Sequence, residues 1–178
     1  KTTQIAERIG RIGQVIAVEV QRGRLKPIEE NRKRLDLDNV SIVLADGASL
    51  ELVKPVDRVL VDAPCSGFGT LRRNPDLKWR YRPDRIAPLA DEQYRILAAA
   101  SRLLKPGGRL VYATCSLLAE ENEAVADRFA AAHSEFAPLS CGELLAAQRI
   151  ALRMPDRLRL WPHLHGTDGF FAAAFERR

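Results

Sequence analysis

Cysteine, methionine and tryptophan are scarce in this 178-residue chain, at three, one and two residues, and the thinness of cysteine excludes most. Cys65, Cys115 and Cys141 are an odd number, separated by 50 and 26 positions, with no CxxC pair among them. That spacing suggests neither a disulfide framework nor a structural zinc site, and it fits reduced thiols in a cytosolic setting. No apolar run approaches the roughly 20 residues that a membrane span needs, and the first residues lack a signal-peptide pattern. The expectation is a soluble, cytoplasmic protein. Internal repeats, low-complexity tracts and linkers are absent as well. What remains is a chain with 46% apolar residues, long enough for one well-cored domain over residues 1–178. Its 28 basic residues against 23 acidic ones give a formal charge of +5. That excess permits a polyanionic partner, and an ordinary basic surface accounts for it equally well.

Four apolar runs organise the chain. GQVIAVEV (13–20) ends near Glu19, SIVLAD (41–46) ends in Asp46, VDRVLVDAPCSG (56–67) carries Asp62, and GRLVYATCS (108–116) ends at Thr114 and Cys115. The runs are too apolar for half-exposed strands, which predicts a parallel sheet covered by helices on both faces. Helices are expected over the first residues as far as Gly10, from about Arg22 to Leu35, from Pro83 to Leu104, and from Glu120 to Ala132. The Lys105–Gly108 segment reads as a turn. The tail, RLRLWPHLHGTDGFFAAAFERR, suggests two strands joined by a loop containing Gly166–Gly169, forming an antiparallel edge. Residues 134–156 look irregular, with room for a short helical excursion.

In open α/β sheets, ligands bind outside the carboxyl ends of the strands, and Glu19, Asp46, Asp62, Cys65 and Cys115 are all expected there. Taken singly, an acid after a strand is a helix cap and a cysteine is a small buried apolar group. Five together point to a site. A carboxylate closing a strand of such a sheet accepts hydrogen bonds from ribose hydroxyls, so Glu19 suggests a cofactor that contains a nucleoside. Cys65 and Cys115 stand where strands give way to loops, a setting that exposes a thiol for nucleophilic attack. Cys141 lacks that context and reads as structural. RRNPDLKWR (72–80) packs four basic side chains and one Trp into nine residues, a composition suited to neutralising phosphates and stacking a base. A solvated loop anchored by Trp79 is the plain alternative.

With these residues in hand, the chain resembles the RNA cytosine-5 methyltransferases of the Nol1/Nop2/Sun (RsmB-like) family. DAPCSGFGTLRRNPDLKW (62–79) is similar to that family's fourth motif and the segment after it, and YATCSLLAEENEAV (112–125) to its sixth. KTTQIAERI with AVEV, the ADG at 45–47, and HGTDGFF follow in the family's order, so the similarity covers nearly the whole chain. The resemblance implies a Rossmann-like class I fold with a mostly parallel sheet and an antiparallel C-terminal hairpin. It also implies S-adenosyl-L-methionine as cofactor and RNA as substrate, with the target cytosine in a single-stranded or loop region or flipped out of its stack. Cys115 matches the family's attacking cysteine, whose addition to carbon 6 of cytosine makes carbon 5 nucleophilic. Cys65 matches the second cysteine, implicated in release, and Asp62 the acid that hydrogen-bonds the base. Lys1, Glu19, Arg24, Asp46 and Asp62 fall at cofactor-contacting positions, Glu19 on the ribose and Asp46 near the adenine. Glu19 stands where the family usually has Asp. Lys1 matches the residue that closes the family's glycine-rich first motif, so that loop and the strand before it are expected to be missing, leaving a split sheet.

Three other readings follow from the same residues. A DNA cytosine-5 enzyme would use Cys65, the cysteine of the Pro-Cys pair, as nucleophile. A catalytically silent RNA-binding module would use only the basic 72–80 segment. A redox switch would use Cys65 and Cys115 as a disulfide pair.

Overall fold

A computed structural model describes residues 1–80 and 82–178. They form two compact units, Lys1–Leu50 and Glu51–Arg178. In the first unit, α1 (Thr2–Ile9) precedes β1 (Val15–Glu19), α2 (Leu25–Arg34) and β2 (Val40–Leu44). β1 and β2 pair in parallel, with Glu19 opposite Leu44. Ala6, Ala17 and Val40 form a small buried core, with Ile28, Leu37 and Ile42 packed against it. Asn39 Nδ2 ties helix to sheet by donating to the Ala6 and Gly10 carbonyls at 3.1 and 2.9 Å.

The second unit contains β3 (Val56–Asp62), α3 (Ile86–Ser101), β4 (Leu104–Thr114), α4 (Glu123–Ala132) and β5 (Phe136–Leu139). It continues with α5 (Cys141–Ala147), β6 (Leu158–Leu160), α6 (Pro162–His165) and β7 (Phe170–Arg177). The sheet runs β3-β4-β7-β5, with β6 also paired to β7. β3 and β4 are parallel, and all three pairings of β7 are antiparallel, so β7 alone runs against the other four strands. Both faces of the long central strands are apolar. Leu97, Leu104, Leu110, Tyr112, Phe129, Phe171 and Phe175 are buried in one cluster, and Phe129 packs edge-on against Phe136 and Phe175. Among the described residues, no helix is long and apolar enough to cross a membrane.

The strands belong to two separate sheets. Three expectations need correction. Lys105–Gly108 is no turn: it lies inside β4 as a bulge, where the register slips between the Val56–Leu104 and Arg58–Arg109 pairs and Gly107 takes φ +73°. β7 is no edge strand, because β5, which the sequence did not reveal, covers its far side. The helix expected from Glu120 begins at Glu123, since residues 119–122 form the turn that carries Glu121 and Asn122 inward. Cys141 is buried at the start of α5, which supplies the short helical excursion.

Candidate active site

Parallel pairing explains how two cysteines 50 positions apart meet. Asp62, the last residue of β3, is opposite Ala113 of β4, so both chains leave the sheet at one edge, side by side. A hydrogen bond from Ala63 N–H to the Ala113 carbonyl at 2.9 Å holds the exit together. Cys65 follows Asp62 by three residues, Cys115 follows Ala113 by two, and their Sγ atoms stand 3.4 Å apart. Both thiols are partly exposed. Asp62 is exposed at the same strand end.

Backbone bonds lock a third loop to these two. Gly69 N–H donates to the Cys115 carbonyl, and Gly169 N–H donates to the Gly69 carbonyl, each at 2.8 Å. The chains approach so closely that a Cβ at Gly69 would stand 2.1 Å from the Gly169 oxygen and 2.7 Å from the Cys115 oxygen. Because the obstructing atoms are backbone, they cannot rotate away. Gly69→Ala is expected to cost about 1–3 kcal/mol of stability, read from denaturant unfolding, and to displace the carbonyl next to the Cys115 thiol.

Electrostatics separate the two thiols. The hydrogen bond with Cys115 raises the Cys65 thiol far above the ordinary range, and burial and the Cys115 charge push it the same way. Cys65 therefore keeps its proton beside the Cys115 thiol. Arg73 is ion-paired with Asp168. Asp168 raises the Arg73 guanidinium above its usual value, and Cys115 contributes in the same sense, an attraction that is mutual between a guanidinium and a thiolate. The checkable consequence is that Cys65 alkylates slowly at pH 8 and faster after Cys115→Ser, which removes the largest cause of its raised value. Iodoacetamide labelling followed by peptide mass analysis reads this directly.

Beneath the thiols lies a polar layer. Ser66 and Ser116, each directly after a cysteine, both donate to Glu121 Oε2 at 2.5 Å. Ser66 N–H and Gln93 Nε2 donate to Oε1 at 2.8 and 3.1 Å. Gln93 also donates to the Pro64 carbonyl at 2.8 Å, and Asn122 Nδ2 to the Ser116 carbonyl at 3.1 Å. Sequence reasoning missed Glu121 and Gln93. A signal for Gln93 was present: Ile86, Ala90, Gln93, Leu97 and Ala100 form one inward stripe of α3, and Gln93 is its polar member.

In the first unit, Glu19 and Asp46 lie at the carboxyl ends of neighbouring parallel strands. Glu19 Oε1 accepts from Gln21 N–H, and Asp46 Oδ1 from Ala48 N–H, both at 2.8 Å. Two oriented carboxylates at strand ends suit the hydroxyls and amine of a nucleoside. Arg24 is exposed at the start of α2, and Lys1 is exposed ahead of α1. The structure thus gathers Asp62, Cys65 and Cys115 at one edge of the second unit, and sets Glu19 and Asp46 at the ends of neighbouring strands in the first.

Basic side chains follow the Cys65 loop in the 72–80 segment, and Arg73 among them interacts with Cys115. Arg72 donates to the Gly166 carbonyl at 3.0 Å, which together with the Arg73–Asp168 pair fastens the 72–80 segment to the 166–169 loop. Trp79 is 82% exposed, so its ring is available rather than anchoring the loop. Lys78 Nζ lies 4.9 Å from the centre of that ring.

An α/β fold with one reversed strand in the second sheet, and reactive groups at its carboxyl edge, is that of the class I S-adenosylmethionine-dependent methyltransferases. Within that class, the chain belongs to the family described as 16S rRNA methyltransferase RsmB/F, which matches residues 1–176. It is 38% identical over 183 residues to the probable ribosomal RNA small subunit methyltransferase B of Bacillus subtilis, covering 100% of this chain and 41% of that protein. To ribosomal RNA small subunit methyltransferase F of Escherichia coli it is 37% identical over 182 residues, covering 99% and 38%. Among solved structures, NSun6 from Pyrococcus horikoshii with SFG is similar at a TM-score of 0.83 and 32% identity, covering 99% of this chain and 44% of that one. The chain therefore spans about two-fifths of the length of these curated relatives.

Proposed function

We propose that the protein methylates carbon 5 of cytosine in small-subunit ribosomal RNA, with S-adenosyl-L-methionine as methyl donor and Cys115 as covalent nucleophile. The observation that carries this reading is the Cys65–Cys115 thiol pair, 3.4 Å apart beside Asp62 at the end of β3. Two thiols in contact serve a reaction in which one sulfur must first bond to the base and later leave it.

Carbon 5 of cytosine is too weak a nucleophile to take a methyl group unaided. The Cys115 thiolate adds to carbon 6, forming an S–C6 bond while the electrons of the C5=C6 double bond move onto the ring. Asp62 hydrogen-bonds the base at nitrogen 3 and the exocyclic nitrogen 4, stabilising the charge that develops. The cofactor supplies an electrophilic methyl group, and Glu19 and Asp46 are the residues that would hold its ribose and adenine, with Lys1 and Arg24 as further contacts. After methyl transfer, carbon 5 carries one proton too many. Once Cys115 is a thioether it has no charge and no S–H, so the chief cause of the raised Cys65 value disappears. Cys65, partly exposed at the strand edge, then gives up its own proton to water more readily and works as a thiolate base. It takes the carbon 5 proton, the C5=C6 bond re-forms, and the S–C6 bond breaks to release Cys115.

Arg72, Arg73, Lys78 and Arg80 neutralise phosphates around the site, and Trp79 offers a stacking face, which favours an unstacked base in a loop, single strand or flipped nucleotide. A cytoplasmic location fits that substrate. The test is transfer of labelled methyl from S-adenosyl-L-methionine to ribosomal RNA by the full-length protein. Label recovered as 5-methylcytosine supports the reading. Absence of label despite demonstrated cofactor and RNA binding overturns it in favour of a silent RNA-binding module.

A further inference from the structure

We infer that Glu121 is a positioning residue: its buried carboxylate is the brace that sets the distance between the two thiols. This deepens the proposed function and rests on it for the catalytic consequence. The geometric consequence stands independently.

Glu121 is fully buried, in the turn between β4 and α4. A carboxylate in that position needs donors for its oxygens, and four arrive: Ser66 N–H, the Ser66 hydroxyl, the Ser116 hydroxyl and the Gln93 amide. Two of those donors belong to the residue after Cys65 and one to the residue after Cys115. The Ser66 and Ser116 oxygens lie only 3.2 Å apart, and with both hydroxyl protons turned to Oε2, the carboxylate rather than a Ser–Ser bond ties the loops together. Gln93 extends the tie to the Pro64 carbonyl, on the other side of Cys65. From the other loop, Asn122 holds the Ser116 carbonyl and accepts from the Thr114 hydroxyl at 2.5 Å, bracketing Cys115.

The brace is itself fixed from below. The Tyr112 hydroxyl, on β4, lies 2.5 Å from the Glu121 carbonyl and 3.0 Å from Gln93 Oε1. Burial raises the Tyr112 phenol far above its ordinary value, so it stays a donor. Thr114 is thus attached through Asn122 to the Ser116 carbonyl, and Pro64, Ser66 and Ser116 are attached, directly or through Gln93, to a single carboxylate. Its effect on chemistry passes through the sulfur positions, where an error of about 1 Å costs roughly 100-fold in rate.

The test uses the full-length protein and two readouts. Dibromobimane bridges two neighbouring thiols, forming two S–C bonds with loss of two bromides and two protons, and the Cys65–Cys115 bridge is identified by peptide mass analysis. Glu121→Ala is expected to slow bridging by at least about tenfold and to lower kcat by about 10- to 100-fold, with KM for RNA within about twofold of the parent. Glu121→Gln keeps the size, and the serine hydroxyls can reverse to accept from its amide, so both readouts should fall between the parent and Glu121→Ala. Should Glu121→Ala fail to fold, the same comparison is made with Glu121→Gln, whose bridging is expected to slow by at least about threefold relative to the parent. Folded variants that bridge at the parental rate, or a loss confined to KM, overturn the inference. Bridging is scored without methyl transfer, so a protein that bridges as predicted but transfers no methyl refutes the proposed reaction and leaves the brace intact.

Discussion

Cys115→Ala is expected to reduce methyl transfer by at least about 1,000-fold while leaving RNA binding and the melting temperature nearly unchanged, because removing a covalent nucleophile acts on this scale. The argument is chemical before it is structural. Without a sulfur on carbon 6, the electrons needed at carbon 5 are delocalised over the aromatic ring, and no other group described at this edge can add there. Cys65 lies 3.4 Å from the Cys115 sulfur and becomes more reactive when that sulfur is removed, but its loop is held apart from the Cys115 loop by separate bonds to Glu121, which keep its sulfur off the carbon 6 position. It should not substitute. Cys115 is partly exposed, so loss of its sulfur removes little buried surface, which keeps the effect on stability small. Single-turnover transfer from labelled cofactor, with unfolding measured in parallel, separates the two. Full activity in this variant would remove Cys115 from the mechanism.

Cys65→Ala is expected to behave oppositely. Attack and methyl transfer proceed, but the carbon 5 proton has no partner, and a covalent RNA–protein adduct accumulates to near one per enzyme. Turnover should fall by about 100- to 10,000-fold, the range of a lost general base. The adduct should survive denaturing electrophoresis as a retarded band that nuclease shortens. The two substitutions thus predict different species, no adduct in the first and a persistent adduct in the second. Neither a silent RNA-binding module nor a redox pair produces that contrast.

The sequence made the strands and the reactive residues legible, because apolar runs that end in Asp62 or Thr114–Cys115 fit a buried parallel sheet. It could not reveal the 3.4 Å contact, which depends on the register that places Asp62 opposite Ala113. β5 escaped because FAPL is four residues long and contains Pro138, which is tolerated where a strand pairs on one side only. Lys105–Gly108 looked like punctuation because proline and glycine carry that meaning locally. Here the pairing with β3 carries the strand through, and the irregularity becomes a bulge. Glu121 was hidden among three acids in EENE, since nothing local marks which one turns inward. Trp79 was open to two readings, and its exposure favours the stacking face.

The central claim is that Cys115, and not Cys65, bonds to carbon 6 of cytosine. The most direct measurement uses ribosomal RNA containing 5-fluorocytidine with the unmutated full-length protein and S-adenosyl-L-methionine. Fluorine cannot leave carbon 5 as a cation, so the reaction stops at the methylated adduct with both cysteines in place. Digestion and mass analysis of the trapped complex should find the nucleotide on the peptide containing Cys115. A nucleotide attached to the peptide containing Cys65 would contradict the assignment of both thiols and indicate the arrangement of a DNA cytosine-5 enzyme.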